Sequence, residues 1–469
     1  MKATPLRPLA ILLALGFTTT AAQADNVPPA RELAETMAML RHAIGVPTVQ
    51  GQHQVPVLAA YLADRLKTGG FAANDVEIIP VGETAALVAR YRGTGQGKSM
   101  RKPIYLSGHM DVVAAKRADW TRDPFTLVEE NGYLYGRGSA DMKTAVVVMV
   151  ETLIRLKREG FKPNRDIVLL LSGDEETDMA TTRELARRYH DAEFLLNADA
   201  GGGTLDPATG KPVVYQIQAA EKTYADFHIA FRSPGGHSSE PTPDNAIYRL
   251  ARAIDKVAAY QFPPMSNAIT RASLRATGAH TPGPLGAAMT RYATHPDDAQ
   301  AAATISADPA YVGQIRTTCV ATMLQGGHAL NALPQGASVN VNCRIFPGTS
   351  VDSVRDTLAK VVDDPTATIT TLDPPPVESP ASPLRPDVIA AVSAAVHARF
   401  PGVEIVPGMS AGASDSMYFR NAGVPSYGVD AAFTKPDDSF AHGLNEKLPA
   451  TEVAAGLEFW HRLLTTLAK

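Results

Sequence analysis

The stretch Leu169-Leu170-Leu171-Ser172-Gly173-Asp174-Glu175-Glu176-Thr177 joins an apolar run directly to three consecutive acids. The run, read from Asp166 to Leu171, is continuous rather than alternating. It therefore predicts a strand buried on both faces, in a sheet covered by helices. Carboxylates crowded at a strand end repel one another when ionised, so the cluster is costly unless a cation or a proton sits among them. An ordinary acidic turn is the commoner meaning of such a string, and the rest of the chain decides between the two.

Outward from this strand, residues 30–201 alternate helical patterns with short apolar segments, the pattern of a layered α/β domain. Residues 104–107 read as a strand and 145–156 as a helix. Near Val213 the texture changes. Residues 213–217 and 224–231 alternate like half-exposed strands, 245–260 and 351–362 read as helices, and 338–346 and 367–372 as further strands. After the proline-rich segment 373–376, helical patterning resumes at Asp387. The expected organisation is an α/β domain over 25–212 and 377–469, interrupted by a smaller α+β lid over 213–376. The least structured part should be 278–309, which is polar and dotted with Ala and Pro.

The chain of 469 residues has a formal charge of −4 and no basic clusters, which argues against a nucleic-acid partner. Its first 24 residues read as an export signal, with Lys2 and Arg7, an apolar core from Leu9 to Phe17, and a small-residue cleavage site at Ala22-Gln23-Ala24. That core is too short to span a bilayer, so a periplasmic or secreted chain without membrane insertion is expected. Cys319 and Cys343 are the only cysteines, too few for a disulfide scaffold or thiolate metal site. Whether they pair or stay free is open on sequence.

Active sites in open α/β sheets gather beyond the carboxyl ends of the strands. The segments there supply His109 and Asp111, Asp141, the acids Asp174 to Glu176, Asp199, and His442 with Glu446. Imidazole plus carboxylate without thiolate suits zinc, manganese or cobalt, and a pair of adjacent metals needs a bridging carboxylate. Two cations would also neutralise the acidic cluster. Asp174 reads as structural, accepting backbone hydrogen bonds in its turn.

These motifs, in this order, resemble the zinc exopeptidase family that includes carboxypeptidase G, the Gly-X carboxypeptidases, aminoacylases and succinyl-diaminopimelate desuccinylase. Particularly specific is Asp119-Trp120-Thr121-Arg122-Asp123-Pro124-Phe125, leading through Asn131-Gly132-Tyr133-Leu134-Tyr135 into Gly136-Arg137-Gly138. The resemblance implies a phosphorylase/hydrolase-like α/β peptidase domain with a mixed sheet and two Zn2+ per subunit. It implies that Asp141 bridges the two, with His109 and Asp199 on one and Glu176 and His442 on the other. Glu175 would be the general base, Asp111 would orient His109, and His237, in Ser233-Pro234-Gly235-Gly236-His237, would donate to the oxyanion. Asn331, Arg344, Gly412 and Ser414 resemble residues that hold the substrate, Arg344 gripping a carboxylate. The chain departs from the family at Asp199, where Glu is common, at Thr144 for Gly, and at Ser414 for Thr. Its long interval from His237 to Asn331 is similar to the larger Gly-X carboxypeptidase-like and N-acyl-amino-acid-hydrolase members.

The function expected is cleavage of an amide next to a C-terminal amino acid, as a carboxypeptidase on short peptides. Alternatives are an N-acyl-amino-acid deacylase, a dipeptidase or aminopeptidase, and a metal-dependent solute-binding protein. A homodimer formed through the lid is consistent with the resemblance.

Overall fold

The computed structural model describes residues 28–94, 101–372, 375–438 and 440–469. The expected export signal and the first half of the proline-rich hinge lie outside them. A ten-stranded mixed sheet forms the larger layer. At its centre Ile167–Ser172 runs parallel to Ile104–His109, which runs parallel to Phe194–Asn197, which runs parallel to Ser426–Gly428. Antiparallel strands Thr84–Tyr91 and Val76–Val81 extend one side.

The continuous apolar run has its reason in the two faces. All six residues of Ile167–Ser172 are buried. Ile167, Leu169 and Leu171 join a core with helices Ala30–Gly45, Val55–Thr68, Lys143–Arg158, Pro386–Arg399 and Thr451–Leu467. Val168 and Leu170 point the other way, onto Leu185 and Ala186 of helix Ala180–Arg188 and onto Phe419. Alternation of side chains across a strand makes both faces apolar when both are covered. Each fully buried Leu contributes roughly 1.5–3 kcal/mol. Helix Lys143–Arg158 has Arg155, Lys157 and Arg158 in its last turn, where cations suit the helix dipole. No helix among the described residues is long and apolar enough to cross a membrane.

A second, four-stranded antiparallel sheet has the order Thr318–Gly326, Gly336–Ile345, Thr223–Arg232, Thr368–Thr371. Helices Ala246–Ala259 and Val351–Val362 cover one of its faces, burying Phe227, Ile229, Val339 and Val341. This is the expected α+β insert, with two corrections. Strand Pro212–Glu221, expected inside it, is hydrogen-bonded into the large sheet, parallel to Glu404–Ser410 and antiparallel to Gly202–Leu205. The chain leaves one sheet at Glu221 and enters the other at Thr223, so alternating burial alone could not say which sheet the strand joins.

The second correction concerns 278–309, which is not the least structured part. Helices Ala268–His280, Gly283–Thr294 and Ala299–Ser306 pack around Leu274, Met289, Tyr292 and Ile305. Their contact faces use Ala, Gly and Thr, which pattern counting scores as neutral; a side chain at Gly278 would lie 2.7 Å from the Gly286 carbonyl oxygen. The readable signals were the caps. Asn267 forms a capping box with Thr270, and Asp298 accepts from the Ala301 N–H. The question left open for the cysteines is answered too: Cys319 and Cys343 face each other across neighbouring strands and are disulfide-bonded.

Candidate metal centre

Three adjacent parallel strands end at the same edge of the sheet and deliver the centre. Ile104–His109 ends in His109, Ile167–Ser172 leads into Glu175 and Glu176, and Phe194–Asn197 leads into Asp199. Gly173 makes the turn between strand and acids possible, since any side chain there would collide with the Ala85 carbonyl. Asp141 comes from the loop before helix Lys143–Arg158, and His442 from the loop before strand Lys447–Pro449. That strand pairs with Tyr133–Tyr135, which ties the two loops together.

Asp141 lies between the two histidines. Its Oδ1 is 3.0 Å from His109 Nε2 and its Oδ2 is 3.1 Å from His442 Nε2. Asp199 Oδ1 is 3.4 Å from His109 Nε2, and Glu176 Oε1 is 2.9 Å from His442 Nε2. Two groups have donor atoms all within 4.8 Å of one another: His109, Asp141 and Glu176, and His109, Glu175 and Asp199. His109 Nδ1 is 3.0 Å from the Asp111 carbonyl oxygen, which fixes the ring and leaves Nε2 for the centre. The Asp111 carboxylate accepts the N–H groups of Glu175 at 3.1 Å and Glu176 at 3.0 Å, so it holds the acid-bearing loop as well.

The electrostatics show the crowding. Burial, then the charge of Asp199, pushes the Glu175 carboxyl well above its usual range. Burial and the charges of Asp141 and Asp111 push Glu176 up to about 7, against the pull of His109 and His442. Burial opposes ionisation of Asp141, but hydrogen bonds from His109 and His442 outweigh it and hold that carboxylate low. Hydrogen bonding to Asp141 raises His442 to about 9. Carboxylates held protonated by burial and by one another are groups that a divalent cation would ionise. The donor set, imidazole and carboxylate with a bridging acid, fits two cations of the zinc type.

Asp174 accepts the N–H groups of Ala180 at 2.7 Å and Thr181 at 2.9 Å and so caps the following helix. Sequence reasoning missed the pair beneath the centre. Glu446, fully buried, accepts from Arg137 Nη1 at 2.7 Å and from the N–H groups of Gly138, Ala140 and Asp141 at 3.1, 2.8 and 2.9 Å. Arg137 in turn donates to the carbonyls of His442 and Gly443. The pair thus locks the loop of the bridging acid to the loop of His442, whose backbone sits in the left-handed region at φ 62°. Both residues stood in quoted motifs; a buried Arg and Glu flanking ligand positions was the available signal.

The expected substrate residues are divided. Arg344 and Gly412 line a cavity of about 580 Å³ together with Glu175 and Glu176. Ser414 is buried, and its hydroxyl donates to Glu221 at 2.8 Å rather than facing that cavity. His237 and Asn331 meet on a separate two-stranded ribbon, Gly236–His237 with Ala332–Leu333. Both are exposed, neither lines the cavity, and His237 Nδ1 is 2.7 Å from Ser239 Oγ.

Residues 105–466 match the model of peptidase family M20/M25/M40. Among similar proteins, the probable carboxypeptidase S-like 2 of Dictyostelium discoideum is 26% identical over 81% of this chain and 74% of its own length. The N-fatty-acyl-amino acid synthase/hydrolase PM20D1 of Homo sapiens is 27% identical over 77% of this chain and 74% of its own. In structure, the M20 family metallo-carboxypeptidase from Sulfolobus solfataricus shares the fold, with a TM-score of 0.67 at 17% identity over 92% of this chain and 98% of the other. The chain belongs to peptidase family M20/M25/M40, as a metal-dependent hydrolase of amide bonds near a terminal amino acid.

Proposed function

We propose that the protein hydrolyses N-acyl amino acids to a carboxylic acid and a free amino acid. The observation that carries this is the cavity of about 580 Å³ beside the metal centre. It sets Glu175 and Glu176 against an apolar wall of Leu372, Pro375, Pro376, Val377 and Met417, with the Arg344 guanidinium also in its lining. An apolar wall accommodates an acyl chain, and a guanidinium fork matches the carboxylate of the amino acid. Relatives from human, mouse and Xenopus tropicalis named N-fatty-acyl-amino acid synthase/hydrolase support an acyl group on the substrate nitrogen.

In this reading His109, Asp141, Asp199, Glu176 and His442 hold two divalent cations. When bound, these polarise the scissile carbonyl and acidify water. Glu175 takes the proton of the attacking water and returns it to the departing nitrogen. Its raised pKa suits a carboxyl that must carry that proton between the two steps. Asp111 keeps Glu175 and Glu176 aimed by holding their backbone N–H groups. His237 lies outside the cavity, so it enters this reading only as an expected oxyanion donor delivered by movement of its ribbon or by another chain.

The expected carboxypeptidase action on short peptides uses the same groups and finds support in the Dictyostelium relative. It differs at the nitrogen side, where a peptide's charged amine would have to reach Asp178 or Asp226, the other acids of the cavity, rather than lie against the apolar wall. We also infer export, supported by the signal-like start and by a disulfide that suits an oxidising compartment. The decisive experiment assays zinc-loaded protein on matched N-acyl amino acids and dipeptides, with and without chelator. Faster release from the acylated substrates, abolished by chelation, is expected. Preference for dipeptides, or hydrolysis indifferent to chelator, overturns the reading.

A further inference from the structure

The loop that carries Glu175 and Glu176 runs from the end of strand Ile167–Ser172 to the start of helix Ala180–Arg188. Asp111 holds its tip by taking the N–H groups of both glutamates. From within, Asp174 caps the helix, and the Gly173 N–H donates to the Thr181 hydroxyl. The two ends of the loop also share an anchor from a distant part of the chain. Asp415, 2% exposed, accepts from the Ser172 hydroxyl at the strand end, at 2.6 Å, and from the Thr182 hydroxyl in the first turn of the helix. Both hydroxyl residues are fully buried.

Asp415 immediately precedes the short helix Ser416–Asn421, where an aspartate ordinarily caps its own helix. Its side chain makes no such bond. Among the described residues no cation forms an ion pair with it either, and burial raises its carboxyl to about 7 against the pull of the two hydroxyls. A carboxyl in this setting costs the fold stability, so its place is explained by the two elements it joins. Its neighbours Gly412, Ala413, Met417 and Tyr418 line the cavity that also holds Glu175, while Asp415 itself stands behind that lining. One short segment thus builds a wall of the cavity and, through Asp415, grips the acid-bearing loop from the rear.

We propose that Asp415 is a positioning residue for the reaction: by tying strand end to helix start it keeps Glu175 where it can take the proton of the attacking water. The inference rests on the reading of Glu175 as the base and adds the residue that aims it. Reacting geometry is steep in distance, and a shift of about 1 Å costs on the order of a hundredfold in rate. A carboxyl whose two oxygens are bonded to two buried elements is a stiff support for the loop between them.

The test separates aim from folding. Zinc-loaded Asp415→Ala, Asp415→Asn, Thr182→Val and the double variant Asp415→Ala/Thr182→Val are assayed on N-acetyl-L-leucine and glycyl-L-leucine, the substrate that the parent hydrolyses faster serving as the readout. Asp415→Ala should lose about 10–100-fold in kcat with KM within about twofold, and keep its zinc by elemental analysis. Asp415→Asn, which can still bond both hydroxyls, should recover most of the loss. Thr182→Val should cost about three- to tenfold alone and nothing further on top of Asp415→Ala, because both break the same tie. Unchanged kcat, a loss shared by KM or zinc content, or losses that multiply in the double variant overturn the positioning role. If melting curves show Asp415→Ala unfolded, Thr182→Val carries the test by the same split between kcat and KM. Glu175→Gln is run beside them. Near-normal turnover by that variant refutes the base and this inference with it, whereas a normal Asp415→Ala beside an inactive Glu175→Gln refutes the positioning role alone.

Discussion

At the metal centre the chain gathers the acids Asp141, Glu175, Glu176 and Asp199 around two imidazoles, while at the junction of the large sheet with the lid the two cations Lys222 and Arg344 have one acid between them, Asp226, which draws on Arg344. The two regions carry opposite surpluses, and they are held differently. Around the centre the supporting groups are finished by the fold: Asp111 takes two backbone N–H groups, and Glu446 takes three and a guanidinium. At the junction the frame is lighter: Arg344 stacks on Tyr224 near Asp226, which Asn340 and Asn342 hold, and Lys222 makes one long hydrogen bond to the Thr318 hydroxyl. A site that binds resident cations needs its ligands fixed beforehand, whereas a site that binds a passing anion needs an unmet charge more than a rigid frame. The sharpest way to break this comparison is at Glu175, which belongs to the acid surplus but serves as base rather than ligand in our reading. Glu175→Gln should retain metal, measured by elemental analysis, and lose about 10²–10⁴ in kcat. Near-normal turnover would remove the assigned base.

The next test removes the frame and spares the ligands. Glu446→Gln keeps the size of the side chain but loses the charge that meets Arg137, so the tie between the loops of Asp141 and His442 is loosened while the strand pairing behind them stays. Metal affinity should fall by about 10–100-fold, with loss of one equivalent on dialysis. Unchanged affinity would make the pair a feature of stability alone. A smaller effect is expected at the junction. Arg344→Ala should raise KM roughly tenfold for substrates with a free carboxylate and change kcat little, as for binding shared by ground and transition states. A kcat loss with constant KM would contradict carboxylate binding there.

The same contrast explains what was legible in the sequence. His109, Asp141, Glu175, Glu176, Asp199 and His442 stand just past strands or in loops bounded by Gly, and topology brings strand ends together, so they could be read as a group. The lid sheet and its two helices were legible because their periodicity records which face is covered. Strand Pro212–Glu221 was not, since alternation says that one face is buried but not against which sheet. Helices between Ala268 and Ser306 escaped because small residues make close contacts that hydrophobicity does not register. Ser414 was misplaced for a simpler reason: a hydroxyl in a loop can turn inward, and here Glu221 draws it in.

Lys222 permits a quieter test, through stability. Its folded pKa, about 7, lies below the 10.5 of a free lysine, so between those values the unfolded chain binds more protons than the folded one. Stability contributed by this group therefore rises as pH increases from about 7 to 10.5 and is lost on the way down. Lys222→Met removes the titrating group and keeps much of the apolar stem. At pH 7–8 the variant should melt higher than the parent, by about 1 kcal/mol or roughly 2 °C, with the gap closing toward pH 10. A variant less stable than the parent at pH 7, or a gap independent of pH, would mean that the ammonium is satisfied in the folded protein. Its contrast with Lys143, whose ammonium donates to the Ala43 and Val46 carbonyls, would then be one of packing rather than of unmet charge.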